Sequence, residues 1–143
     1  MNRIYVASSW RNQYQQSVVE QLRANGHQVY DFKNPPNTSG FSWKELDGGW
    51  ENWTAKQYVE ILTTHPRAAQ GYMSDLRAME WADTCVLVLP SGRSAHLEGG
   101  WFAGRGKRLI ILTDDGEEPE LMALMANTIC TSIDEVLTEL KPL

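Results

Sequence analysis

Apolar and polar positions divide the chain into short alternating segments. Arg3-Ile4-Tyr5-Val6-Ala7 is a β-rich run that ends at the polar stretch Ser8-Ser9-Trp10-Arg11-Asn12. Val18, Val19 and Leu22 recur at helical spacing, and Gly26 closes that helix as its C-cap. His27 to Phe32 alternates as a second strand would, which gives strand, helix, strand with a right-handed crossover. Thr54 starts a short helix carrying Tyr58, Ile61 and Leu62 on one face, and His65-Pro66 breaks it. A longer helix follows over roughly Arg67 to Ala82, with Ala69, Tyr72, Met73, Leu76 and Met79 at helical spacing. Thr84 to Leu89 and Leu109 to Leu112 are apolar strands, separated by a polar loop and a short helix. After a turn at Asp114-Asp115-Gly116 come a short helix at Glu120 to Met125, a fifth strand at Asn127 to Thr131 and a last helix at Ile133 to Leu140.

Alternating strands and helices with apolar strand cores predict a parallel sheet covered on both faces. The expected fold is α/β, a single-domain doubly wound five-stranded parallel sheet in the order 2-1-3-4-5, flavodoxin- or Rossmann-like, with helices on both faces. In that order strands 1 and 3 are neighbours and their helices lie on opposite faces, so a crevice opens where the strand order reverses. It brings Ser8-Ser9-Trp10-Arg11 beside Ser91-Gly92-Arg93-Ser94. Residues 1–143 read as one domain with an irregular, aromatic-rich insertion at about 33–53, holding Phe41, Trp43, Trp50 and Trp53. A loop this long is functional or disordered, and its aromatics favour an ordered flap over a ligand or a cover for the core.

Composition narrows the function. A net charge of −5 argues against a general nucleic-acid binder, though not against a local basic pocket. No apolar run approaches the roughly 20 residues needed to span a bilayer. Met1-Asn2-Arg3 leads straight into the first strand, so no signal peptide and a cytoplasmic location are expected. Cys85 and Cys130 sit in apolar strand contexts, as reduced core residues do, and His27, His65 and His96 lack metal-ligand spacing. No metal site and no cofactor are expected.

The candidate chemistry centres on Pro90 to Lys107. Ser94 is placed to cap the helix there, which puts Glu98 in its first turns, where the helix dipole favours an ionised carboxylate. That suits a nucleophile, and it also suits an ordinary dipole-complementing glutamate. Gly99, Gly100 and Gly104 each cost about 1 kcal/mol relative to alanine within a helix. Close packing on the sheet or a ligand against the backbone would justify them. Ser8, Ser9, Arg11, Ser91, Arg93 and Ser94 surround the helix start with hydroxyl and guanidinium groups, a plausible phosphate cradle, although no G-x-G-x-x-G or Walker pattern is present. Asp75 lies in the middle of the long helix, where a lone aspartate is usually solvated.

Four segments together resemble the nucleoside 2-deoxyribosyltransferase superfamily, which also contains nucleoside-monophosphate N-glycosidases. They are Ile4-Tyr5-Val6-Ala7-Ser8-Ser9-Trp10, Tyr72-Met73-Ser74-Asp75-Leu76, Glu98 to Lys107, and Leu121-Met122 followed by Asn127. The similarity runs from Ile4 to about Leu140. It implies that Glu98 is the nucleophile that attacks the anomeric carbon, forming a glycosyl-enzyme that water or a second base resolves. It implies further that Asp75 positions the sugar or helps protonate the leaving base, and that Tyr5 orients the carboxylate. Asn127 matches a residue lent to a neighbouring subunit, so a homo-oligomer, dimer or higher, with shared active sites is implied.

Ser91-Gly92-Arg93-Ser94 resembles the monophosphate hydrolases, which bind a 5′-phosphate at this place, and so leaves hydrolase open beside transferase. The chain ends at Leu143 where transferases often continue into a longer tail, and the segment from Phe41 to Trp53 matches no family motif. The expected ligand is a nucleoside or nucleotide held by Ser8, Ser9, Trp10, Arg11, Ser91, Gly92, Arg93, Ser94 and Asn127, with base contacts from Trp10 and the aromatic flap. A non-catalytic nucleotide sensor would use the same crevice without chemistry. Toll/interleukin-receptor-like domains, of related architecture, include members whose glutamate cleaves NAD, so NAD hydrolysis stays open. The joint presence of Glu98, Asp75 and Tyr5 favours an enzyme.

Overall fold

The structure, a computed structural model, describes residues 1–142. Its sheet contains β1 (Arg3–Ala7), β2 (Gln28–Asp31), β3 (Thr84–Val88), β4 (Arg108–Leu112) and β5 (Thr128–Cys130). All neighbours are parallel and the order is β2-β1-β3-β4-β5, as the strand-helix alternation predicts. Helices are α1 (Gln15–Ala24), α2 (Ala55–Thr64), α3 (Pro66–Trp81), α4 (Arg93–Gly104) and α5 (Ile133–Glu139).

By compactness the chain divides into two units, one built from Met1–Asp31 and the chain from Met79 on, the other from Phe32–Ala78. The first holds the whole sheet. The pleat sends alternate residues to opposite faces. On one face Ile4, Val6, Val86, Val88 and Ile110 pack with Val18, Val19 and Leu22 of α1 and Val136 of α5. Each such side chain, fully buried, contributes about 1.5–3 kcal/mol. On the other face lie Tyr5, Cys85, Leu87 and Leu109, under α4. A Cβ on Gly99 would sit 3.4 Å from Leu109 and 3.6 Å from Leu87. One turn-width further on, Phe102 is fully buried with its ring 5.8 Å from that of Tyr5. Tyr5 in turn stacks on its β2 partner Tyr30 at 5.4 Å and 13°.

Helix ends follow local chemistry. The C-cap of α1 is Asn25, not Gly26. Gly26 is the next residue, at φ 88°, a left-handed conformation that glycine adopts without strain. Pro66 is the first residue of α3, where its missing N–H costs nothing, so the helix starts one residue before Arg67. Lys107 Nζ donates to the carbonyls of Met79, Glu80 and Ala82 and ties down the end of α3.

The second unit is longer than the insertion expected at 33–53, because it includes α2 and most of α3. Its aromatics form their own cluster. The Trp43 ring meets Phe41 at 4.9 Å, Trp53 at 5.8 Å and Tyr58 at 6.0 Å, all edge-on. Arg67 pairs with Glu45 at 3.3 Å, donates to the carbonyls of Ser39 and Gly40, and lies over Phe41. A Cβ on Gly71 would meet the Phe41 ring at 3.1 Å, so a larger residue here would push that ring by a few tenths of an ångström. Thr54 and Gln57 form a capping box that starts α2.

Candidate active site

The C-terminal ends of β1 and β3 are neighbours, with Ala7 opposite Leu87. The loops that leave them are fastened to each other. Ser8 Oγ donates to the Val88 carbonyl at 2.8 Å. Asn12 Nδ2 donates to the carbonyls of Val88 and Pro90, at 3.3 and 2.9 Å. Asn12 Oδ1 accepts from the backbone N–H of Tyr14 and Gln15, at 2.7 and 2.9 Å. Asn12 is buried and its side chain is saturated, with two bonds given and two accepted. It clamps the two loops and holds the backbone at the entry to α1, whose N-cap is Tyr14.

Behind the clamp lies a second buried polar group. Asp31, at the end of β2, is 2% exposed and accepts from Gln15 Nε2 at 2.8 Å and Gln16 Nε2 at 3.0 Å. Among the described residues no buried side-chain nitrogen or oxygen lacks a partner.

Helix α4 begins differently from the expectation. Its N-cap is Gly92, no side chain caps it, and Ser94 is its second residue, exposed to solvent. The first backbone N–H groups of α4 are therefore left for solvent or a ligand. His96 Nδ1 lies 2.9 Å from the Gly92 carbonyl and 3.5 Å from Ser91 Oγ. A carbonyl only accepts, so Nδ1 carries the proton. Arg11 and Arg93 are exposed, and neither forms an ion pair with a described residue. Trp10 is 52% exposed, and Ser9 and Ser91 are half-buried.

Glu98 is the sixth residue of α4 and is half-buried. The helix dipole acts mainly within the first turn, so it contributes less to Glu98 than a Ser94 cap would imply. Position rather than the dipole distinguishes this residue. Gly99 beside it touches β3 and β4, and Phe102 one turn later touches Tyr5, so Glu98 faces the sheet near β1 and β3. Its charge reaches Cys85, the β3 residue opposite Tyr5. Burial first, and Glu98 second, push the Cys85 thiol well above its ordinary pKa. At Gly99 alone would a Cβ touch the sheet, and there at ordinary van der Waals distance. A Cβ on Gly100 or Gly104 would meet nothing within 4 Å, so packing does not explain those two.

Asp75 lies on α3 within the second unit and is half-buried. Asn127 sits before β5, where its backbone N–H donates to the Leu109 carbonyl and its Oδ1 accepts from the Leu109 N–H. This extends the β4–β5 pairing by one residue. No group of three or more His, Cys, Asp or Glu among the described residues could hold a metal. No helix among them is long and apolar enough to cross a membrane.

No family model and no curated protein matches the chain. Solved structures do. A 2-deoxyribosyltransferase from the psychrotolerant bacterium Bacillus psychrosaccharolyticus is 20% identical with a TM-score of 0.66, over 94% of this chain and 89% of that one. The Clostridium botulinum CMP N-glycosidase BcmB is 17% identical with a TM-score of 0.55, over 96% and 97%. A conserved protein from Enterococcus faecalis V583 is 15% identical with a TM-score of 0.61, over 97% and 96%. The chain therefore has the fold of the nucleoside 2-deoxyribosyltransferase-like superfamily.

Proposed function

We propose that this protein cleaves the N-glycosidic bond of a nucleoside or nucleoside 5′-monophosphate, with Glu98 as the nucleophile. The observation that carries this is the seat of Glu98. It lies on the sheet-facing side of α4, with its charge felt at Cys85, beside the strand ends whose loops Asn12 ties together. The sequence resemblance and the shared fold bring a 2-deoxyribosyltransferase and a CMP N-glycosidase to bear on the same reading.

The Glu98 carboxylate attacks the anomeric carbon as the C–N bond to the base breaks. The electron pair leaves with the base, which takes a proton, and Asp75 is assigned to deliver it or to hold the sugar. Water or a second base then displaces Glu98, so two displacements replace one difficult step. Tyr5, packed between Tyr30 and Phe102, is assigned to orient the carboxylate. No cofactor is required. The uncapped start of α4, with Arg11, Arg93, Ser91 and Ser94, suits a 5′-phosphate, with Ser8, Ser9, Trp10 and Gly92 completing the substrate set.

A homo-oligomer in which Asn127 is offered to a neighbouring site is part of the proposal. Leu121, Met122 and Leu124 are 67–78% exposed just before Asn127, an apolar surface that association would cover. Cys85 and Cys130, buried and unbonded, fit a cytoplasmic location.

The test is a screen of nucleosides, 5′-monophosphates and NAD for released base, with and without an acceptor base. Release without acceptor assigns a hydrolase, and acceptor-dependent exchange assigns a transferase. Binding of a nucleotide with no release from any substrate would make the protein a sensor and overturn the proposal.

A further inference from the structure

On the sheet face opposite α4, a cavity of about 220 Å³ opens at the C-terminal ends of β3 and β4, between α1 and the start of α5. It shares no lining residue with the Glu98 site. Its floor is apolar, made by the half-buried Leu89 and Leu112 with Val88 and Val18 buried beneath, and Ile133 on the flank. The volume corresponds to about seven waters at about 30 Å³ each, room for one ring or a short chain.

The polar rim is rich in acceptors. Asp114 accepts from the Asp115 N–H at 2.8 Å, which leaves carboxylate lone pairs open, and it faces the Tyr14 hydroxyl, whose pKa it raises. Gln21 spends its amide donor on Ser17 Oγ at 2.9 Å, so its carbonyl oxygen remains as an acceptor. No Lys, Arg or His lines the cavity. The loop that carries Asp114 continues with Asp115, Glu117, Glu118 and Glu120. An anion is therefore repelled, and a cationic donor is favoured.

We propose that this cavity is a second binding site, for a small primary amine with an apolar body. The ammonium group bonds to Asp114 at the rim, and the ring or chain lies on Leu89 and Leu112. The site is independent of the reaction assigned to Glu98.

The experiment is a titration followed by backbone amide NMR at neutral pH, with benzylammonium, benzyl alcohol and benzoate as probes. Benzylammonium should give saturable shifts at Thr113, Asp114 and Ser132 at millimolar concentration, and bind more tightly than benzyl alcohol. Benzoate should not saturate. Asp114→Asn, which keeps an acceptor for Tyr14, should weaken benzylammonium about tenfold and leave benzyl alcohol unchanged. Glu98→Gln should leave all three isotherms unchanged. The proposal is overturned if benzoate binds as well as the amine, if Asp114→Asn leaves the preference intact, if no probe saturates, or if Glu98→Gln abolishes binding.

Discussion

The side-chain amide of Asn12 donates to the carbonyl of Pro90 at 2.9 Å, and so holds the loop after β1 against the loop after β3. Asn12→Asp keeps the shape but turns an oxygen toward the carbonyls of Val88 and Pro90. With the Pro90 carbonyl left unpaired, and an oxygen set against the Val88 carbonyl that keeps its bond from Ser8, a loss of about 1–3 kcal/mol is expected at neutral pH. A carboxyl held here is easier to accommodate protonated, so its folded pKa is raised. The loss should shrink as pH falls from that raised value toward about 4, and level off below it, where the carboxyl is protonated in the folded and unfolded chains alike. Urea unfolding at several pH values reads both effects. An Asn12→Asp protein as stable as the parent at neutral pH would contradict the clamp.

Phe102 sets the height of α4 above Tyr5. Phe102→Ala removes a fully buried ring and should cost about 3–5 kcal/mol, while Phe102→Leu should cost less than about 1.5 kcal/mol if its surroundings repack. Because Glu98 lies one turn earlier on the same helix, Phe102→Leu should lower kcat more than it raises KM. Equal effects on both would separate the packing from the chemistry.

In the second unit, Glu45 and Asp47 hold the tryptophan loop. Asp47 accepts from Trp53 Nε1 at 2.8 Å and from the Gly49 N–H at 2.9 Å, and these bonds lower its pKa. Glu45 is lowered by the Ser42 N–H first and by Arg67 next. Both folded values lie below the unfolded ones. The stabilisation is therefore present above the unfolded values near 4, and it is lost as pH falls through the depressed folded values. Tryptophan fluorescence should change below about pH 4. The double variant Asp47→Asn, Glu45→Gln should lack that acid step, and an unchanged step would contradict the assignment.

Cys85 and Cys130 are each at most 1% exposed, and burial is the first cause that raises both thiols. A disulfide reagent should label neither in the native protein and both in denaturant, at a rate set by opening. Fast labelling of the native protein would contradict the packing of β3 and β5.

The sheet was legible because its strands are short apolar runs between helical periods, and a right-handed crossover leaves few strand orders. Strand ends were legible to within one or two residues. Side-chain partners over long sequence separation were not. Nothing near Asn12 announces that its amide reaches Val88 and Pro90. Ser94 has the chemistry of a cap, yet the chain enters α4 two residues earlier than that cap requires, and Gly92 takes the role. Gly99, Gly100 and Gly104 look alike in sequence, whereas only Gly99 touches the sheet. The aromatics from Phe41 to Trp53 suggested an ordered flap over a ligand or a cover for the core. Their packing on Tyr58 and beneath Arg67, residues of α2 and α3, is what the loop alone does not reveal.

The central claim is that Glu98 is the nucleophile. Base release from the best nucleoside or 5′-monophosphate substrate, compared between the parent protein and Glu98→Gln, tests it most directly, with circular dichroism and unfolding to confirm an intact fold. The account predicts turnover by the parent and a loss of at least about a thousandfold in the folded variant. Release by folded Glu98→Gln at the parent rate would contradict it.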